Sequence, residues 1–394
     1  MPLTKQLSSN LNLWYLDDGF LAGDPVSVMS DLSSIVSSSS ELGLAVNPSK
    51  CEILALSCSA EESHSLYSAC DSIASGISIM THASAQLLGS AIFPDGLTSV
   101  LEDKNKKLCR LLERLKLLDR HDALFLLKNC IAIPRLLYTL RTQRCLPHPL
   151  LAAYDSSLRR GLESILNTKT EDASWLQATL PVSSGGLGVR RATDLAEPAF
   201  LSSAFSVQDA VSRILESEDV DSNLLGSIPL PESVPEPRSS QKAWDTLFCK
   251  RRQSDLFELA TEPRQKCRLL ASAAASSGAW LNALPSSALC LKLDDEQLRT
   301  AAALRIGAPI CQPHRCRFCN AAVDADASHG LSCRYSVGRH PRHHAVNDII
   351  KRALGSAGIP SIIEPPGLSR SDGKRPDGTV GAWPLMRPAI RPYN

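Results

Sequence analysis

The 394-residue chain carries 42 Lys/Arg against 41 Asp/Glu, a net charge of +1, and 43% of its residues are apolar. That length suits two or three domains with buried cores, and the balanced total points to no particular polyanionic partner. No apolar run reaches the ~18–20 residues of a membrane span, and "MPLTKQLSSN" lacks a signal peptide's apolar core. The expectation is an intracellular chain, nuclear or cytoplasmic and not secreted, without membrane contact, whose 13 cysteines are reduced thiols or metal ligands.

The first pattern is "LWYLDDGFLAGDP", which begins at Leu13. Its alternating apolar residues predict strand, turn and strand, with Asp17 and Asp18 at the hairpin tip. Adjacent carboxylates repel and need water or a cation nearby. A solvated Asp-Asp-Gly turn and a metal-holding pair are both open on these residues. Val28, Met29, Leu32, Ile35 and Val36 have helical spacing, ended by Gly43. A turn at Asn47-Pro48 then leads into a strand over Cys51–Leu56, and "AQLLGSAIFPDG" reads as a short hairpin closed by Pro94-Asp95-Gly96. Residues 1–96 are thus an α/β piece too small to bury a sheet well alone.

Residues 97–215 read as helical. Leu108, Leu111, Leu112, Leu115 and Leu118 form one stripe, Pro134 kinks the next helix, and "PLLAAYDSSLRRGLESIL" is a third. From Glu102 to Lys169 there are 14 Lys/Arg against 7 Asp/Glu. Such basic faces suit nucleic acid, and they suit ordinary solvated helices. Gly185, Gly186 and Gly188 open another helix. They lack the Lys-Ser/Thr ending of a P-loop and the strand and acidic partner of a dinucleotide site, so the loop reads as a structural turn. Residues 216–305 hold the best linker candidate, "SNLLGSIPLPESVPEPRSS", followed by weakly amphipathic helices.

Within 306–346, "CRFCNAAVDADASHGLSC" gives Cys316-x2-Cys319-x9-His329-x3-Cys333. A Cys-x2-Cys knuckle followed by a His/Cys pair supplies four ligands for tetrahedral Zn²⁺; a chance grouping of free cysteines is the alternative. Arg315, Arg317 and Arg334 crowd it, as on a nucleic-acid-facing site, and Cys311 is a bystander. His340, His343 and His344 are alternative ligands or phosphate contacts. Residues 347–394 contain "IIEPPG", with Glu364, and "GKRPDGT", with Asp377.

These motifs, in this order, resemble the C-terminal part of a non-LTR retrotransposon reverse transcriptase polyprotein. Tyr15-Leu16-Asp17-Asp18 is similar to the Tyr-x-Asp-Asp box. "LGLAVNPSKCEIL" resembles the next palm motif, "LLGSAI" the primer-grip hairpin, and "SGGLGVRRATDLAEPAFLSS" the post-thumb segment. "GKRPDGT" resembles the Lys/Arg-Pro-Asp box of a restriction-like endonuclease. The resemblance implies an α+β fold: a partial palm with a small antiparallel sheet and a helix over 1–96, then a helical thumb over 97–215. Linker helices, a zinc knuckle and a truncated nuclease segment follow.

It also implies RNA-directed DNA synthesis by two-metal nucleotidyl transfer, with Asp17 and Asp18 on Mg²⁺ and Lys50 near the incoming nucleotide. A lysine in a solvated Asn-Pro turn is the alternative for Lys50. Asp377 would hold the nuclease metal, but "VGAWPLMRPAIRPYN" after it contains no acid, so the tail reads as truncated or frame-shifted. The implied partners are an RNA template, an RNA–DNA duplex and target DNA. The third catalytic aspartate and the fingers would lie upstream, so the chain alone is expected to be inert in polymerisation. The rival reading is a non-enzymatic, zinc-containing nucleic-acid-binding protein derived from such an element.

Overall fold

A computed structural model describes residues 3–215, 234–336, 338–368 and 376–380. The chain is a mixed α/β protein built mostly from helices, and among the described residues every sheet has two strands.

β1 (Leu11–Tyr15) and β2 (Asp18–Ala22) form an antiparallel hairpin in which Tyr15 faces Asp18. α1 (Pro25–Glu41) starts where the Asp24 carboxylate accepts the Val26 and Ser27 N–H groups, with Pro25 pre-set for the first turn. Buried Asp31 on α1 accepts the N–H and hydroxyl groups of Ser8 and Ser9, which ties down the N-terminal segment.

The strand expected over Cys51–Leu56 shrinks to β3 (Glu52–Ile53). The next helix, α2 (Ala60–Ile73), is not among the expected elements; a reciprocal Ser59–Glu62 capping box starts it. That helix carries the chain across to β4 (Ser78–Ile79), which pairs with β3 in parallel. Parallel strands need such a crossover. The antiparallel expectation for this region is therefore corrected: the hairpin and the parallel pair remain separate. Cys70, Ala74 and Ile77 form a small core beneath Met29, Leu32 and Val36. β5 (Gln86–Leu87) and β6 (Ser90–Ala91) turn at Leu88-Gly89, whereas Pro94-Asp95-Gly96 leads into the next helix.

α3 (Gly96–Leu115) buries Leu97, Leu101, Leu108, Leu112 and Leu115 on one face; Leu118, expected on that stripe, lies beyond the helix and is exposed. α4 (Arg120–Leu126), a π-helical turn, a 3₁₀ turn at Ile133–Arg135 and α5 (Leu137–Thr142) follow, with the break at Pro134. The 23 residues Arg120–Thr142 have the length and mean apolarity of a membrane span, although Lys128 and Arg135 interrupt them. Here Leu124, Leu127, Leu136 and Leu140 are buried in the protein core instead.

α6 (Pro149–Leu166) packs along α3 so closely that a Cβ on Gly161 would meet Leu112 at 2.5 Å. α7 (Asp172–Ala178) leads to the glycine loop and α8 (Ala192–Leu215), whose first N–H groups bond the buried Asp155 carboxylate. α9 (Gln241–Leu259) and α10 (Pro263–Ala273) lie beyond the undescribed residues 216–233. Then α11 (Asp295–Ile306) returns to the same core through Leu298, Ala302, Ala303 and Ile306. Long-range bonds pin it: Asp295 accepts the Arg120 N–H, and Lys292 donates to Asp119 and Asp122.

The glycine loop is structural. Gly185 and Gly188 have positive φ, and a Cβ on Gly186 would stand 2.0 Å from the Leu180 carbonyl oxygen. Its carbonyls are taken by Arg305, which donates to Val182 and Gly186 from a buried position.

Candidate metal centre

α11 ends at Gly307 in the left-handed region, and Thr168 donates to the Pro309 carbonyl, so the following segment leaves the core at a fixed point. β7 (His314–Arg315) and β8 (Ala322–Val323) then form a tight antiparallel pair. Cys316 and Cys319 sit in the loop between them. Asn320 takes the left-handed conformation and donates its N–H to Cys316 O, while Cys316 N–H bonds Ala321 O. One helical turn, α12 (Ser328–Ser332), carries His329, and Cys333 follows at i+4, so both project towards the knuckle.

The four ligand atoms lie within 4.8 Å of one another. Cys319 Sγ is 3.0 Å from His329 Nε2, Cys333 Sγ is 3.8 Å from Cys319 Sγ, and Cys316 Sγ is 4.0 Å from Cys333 Sγ. With Zn–S bonds of about 2.3 Å, the edge of a sulfur tetrahedron is about 3.8 Å. The four side chains could therefore hold one metal ion, and three thiols with an imidazole are a donor set compatible with zinc. The electrostatics agree for Cys316: N–H groups of Phe318 and Cys319 aim at its sulfur and pull its pKa down to about 6. For Cys319 the Ala321 N–H acts in the same sense, but desolvation and the neighbouring Cys316 and Cys333 sulfurs outweigh it and raise the thiol. Cys311 packs at the edge and bonds the Asp324 carbonyl, outside the ligand group.

Asp17 and Asp18 are both exposed. The turn proper is Leu16-Asp17, with Leu16 at φ 57°; Asp18 and Gly19 already belong to β2, and Gly19 lies against the Trp14 ring. Lys50 ends an exposed 3₁₀ turn at Pro48–Lys50 and makes no ion pair with either aspartate. Among the described residues, the one group of three or more His, Cys, Asp or Glu ligands that converges is the knuckle. No third carboxylate joins Asp17 and Asp18 there.

Asp377 precedes β10 (Gly378–Val380), which pairs with β9 (Ser361–Ile363), and Glu364 N–H bonds Asp377 O. α13 (Arg339–Ser356) lies against this hairpin with His343 3.3 Å from the Asp377 carboxylate and His344 3.8 Å from that of Glu364. Neither histidine belongs to the converging Cys316–Cys319–His329–Cys333 ligand group; each stands beside a carboxylate. Most of "GKRPDGT" before Asp377, and the acid-free tail from residue 381, lie outside the described residues.

Two aromatic residues escape the sequence reading. Phe318 and Tyr335 flank the ligands, each with a guanidinium over its ring: Arg317 at 4.8 Å and Arg334 at 4.7 Å. An Arg-aromatic dipeptide beside a ligand cysteine is the signal that marks both. On the helical body, a groove of about 320 Å³ is lined by Lys104, Lys107, Arg135, Leu108, Ile131 and Tyr154.

Compared with known protein families and with curated proteins, the chain matches none.

Proposed function

We propose that this chain derives from a non-LTR retrotransposon reverse transcriptase and acts on nucleic acid by binding it, not by polymerising. The observation that carries the binding half is the convergence of Cys316, Cys319, His329 and Cys333 into one group of possible metal ligands, with arginines around it. Zinc bound there supplies no chemistry; it holds the knuckle in shape, so that Arg315, Arg317 and Arg334 are presented to phosphates. The groove between Lys104, Lys107 and Arg135 offers a second cationic surface. The Asp17–Asp18 hairpin supports the ancestry. Two-metal transfer requires a complete carboxylate set and an aligned nucleophile. Asp17 and Asp18 alone leave both metals short of protein ligands.

The test is a binding titration on the purified chain with an RNA–DNA duplex, alongside primer extension in Mg²⁺ and in Mn²⁺. Expected are one zinc per chain, affinity that falls steeply as salt rises, and no extension. Extension abolished by Asp17→Ala would return the chain to the polymerases. Absence of nucleic-acid binding at low salt would end the binding reading.

A further inference from the structure

The groove on the helical body carries charge that the protein does not neutralise. Its walls come from α3, from α6 and from the irregular stretch after α4. The chain widens there because Leu127–Ile131 is a π-helical turn, in which the Ala132 N–H reaches back to the Leu127 carbonyl. The Tyr154 hydroxyl, from α6, donates to the Ala132 carbonyl at 2.7 Å and fixes the distortion in place. Single π-helical turns of this kind concentrate at functional sites. Arg135 follows in the 3₁₀ turn, while Lys104 and Lys107 come from α3. Lys107 is bridged to Asp103 at 2.7 Å; Lys104 and Arg135 have no carboxylate partner among the described residues. Three cations less one carboxylate leave two positive charges beside the aliphatic Leu108 and Ile131.

We propose that this groove is a pocket for the phosphomonoester of a single nucleotide, which in a nucleic-acid-binding chain is a phosphorylated strand end. Arg135 takes the phosphate oxygens through its paired N–H donors and Lys104 as a point charge, with the sugar over Leu108 and Ile131. Charge and size both point to an end. A phosphomonoester carries about −1.5 to −2 at neutral pH, which matches the two free cations; a backbone diester carries a single charge. A volume of about 320 Å³ is that of a small-ligand pocket, with room for one nucleotide and not for a run of strand. A bare phosphate ion would satisfy the cations but leave the aliphatic side unused. The inference rests on the nucleic-acid reading above and adds to it a preference for ends.

The experiment uses the full chain and a short oligomer labelled at one end, with either phosphate or hydroxyl at the other; each end is tested in turn. Fluorescence anisotropy at fixed salt gives the ratio of the two affinities. Expected is a preference of about 10- to 100-fold for the phosphorylated oligomer at one end or the other, the worth of charged hydrogen bonds to the added group. Lys104→Gln and Arg135→Gln should each bring that ratio towards one. Lys106→Gln, on the same helix but outside the groove, should leave it intact. Competition then separates the sources of phosphate. Adenosine monophosphate displacing the oligomer as well as an unlabelled phosphorylated strand does would overturn the assignment to strand ends. Inorganic phosphate or a phosphoserine peptide competing equally well would overturn the nucleotide itself. Equal affinity for phosphate and hydroxyl ends overturns the pocket and leaves the nucleic-acid reading standing. Loss of all oligomer binding, with adenosine monophosphate still bound on calorimetry, would sink that reading and the strand end with it, leaving a free-nucleotide site.

Discussion

Removing zinc should unfold residues 311–333 and leave the helical body folded. The apolar core of the knuckle consists of Cys316, Val323 and Cys333, with Cys311 and Cys319 at its edge. Val323 is its single aliphatic member, and burying a valine contributes about 1.5–3 kcal/mol. Ordering one residue's backbone costs about 1–2 kcal/mol. Apolar burial thus offsets the ordering of roughly two residues of the segment, by the same figures, and the metal must supply the rest. At free zinc a thousandfold above its dissociation constant the folded form gains about 4 kcal/mol, roughly a thousandfold in the opening equilibrium. Hydrogen exchange reads this directly. The N–H groups of Cys316, Asn320 and Cys333 bond carbonyls at 2.8 Å. Adding a chelator should speed their exchange by about that thousandfold. Amides of α6, where Leu158 and Leu162 are fully buried, should not respond. Equal protection of the knuckle amides with and without chelator would refute the reasoning.

Two further outcomes probe the scaffold. Gly186→Ala places a methyl 2.0 Å from Leu180 O and 2.7 Å from Gln177 O, and should cost about 3 kcal/mol or more of unfolding free energy, read by urea titration. Gly89→Ala, at φ 76° with open space around it, should cost only about 1 kcal/mol, and equal losses would contradict the packing argument. Asp31 sets an acid limit: burial works to raise its pKa, but the hydroxyl and N–H donors of Ser9 and Ser8 outweigh it and hold it below the ordinary value. Its contribution is complete above the unfolded carboxylate pKa of about 4 and is lost as pH falls through the lower native value. NMR of the Ser8 and Ser9 amides should show that segment released only under strong acid, and release near pH 6 would count against it.

Local chemistry is legible in the sequence and distant pairing is not. Alternation around Asp17 locates the β1–β2 hairpin, and ligand spacing alone locates Cys316, Cys319, His329 and Cys333. Helix α2 escapes notice, although Ser59 and Glu62 spell out its capping box. Serines and acids fill most of its surface and only Cys70 among its residues is buried, so no apolar stripe announces it. The parallel β3–β4 pair has two residues per strand and follows from the α2 crossover, so no local pattern carries it. The return of α11 to the core is equally hidden. Leu298 and Ile306 look like any weak helix until Arg120 and Asp119 are placed beside Asp295 and Lys292. Ring exposure at Phe318 and Tyr335 likewise emerges only once the knuckle is folded.

That late return has a consequence during synthesis. The contacts that seal the core join residues 173 and 175 apart in the chain, and Leu298 through Ala308 complete it. Until the ribosome has made that segment and cleared it from the exit tunnel, helices α3 to α8 have no partner for part of their apolar faces. Translation from Leu215 to Ala308 takes roughly 5–20 s at typical speeds of about 5–20 residues per second. For that interval the nascent chain holds an open leucine-rich surface, a substrate for holdase chaperones, and a ribosome stalled before Asp295 would leave it open permanently.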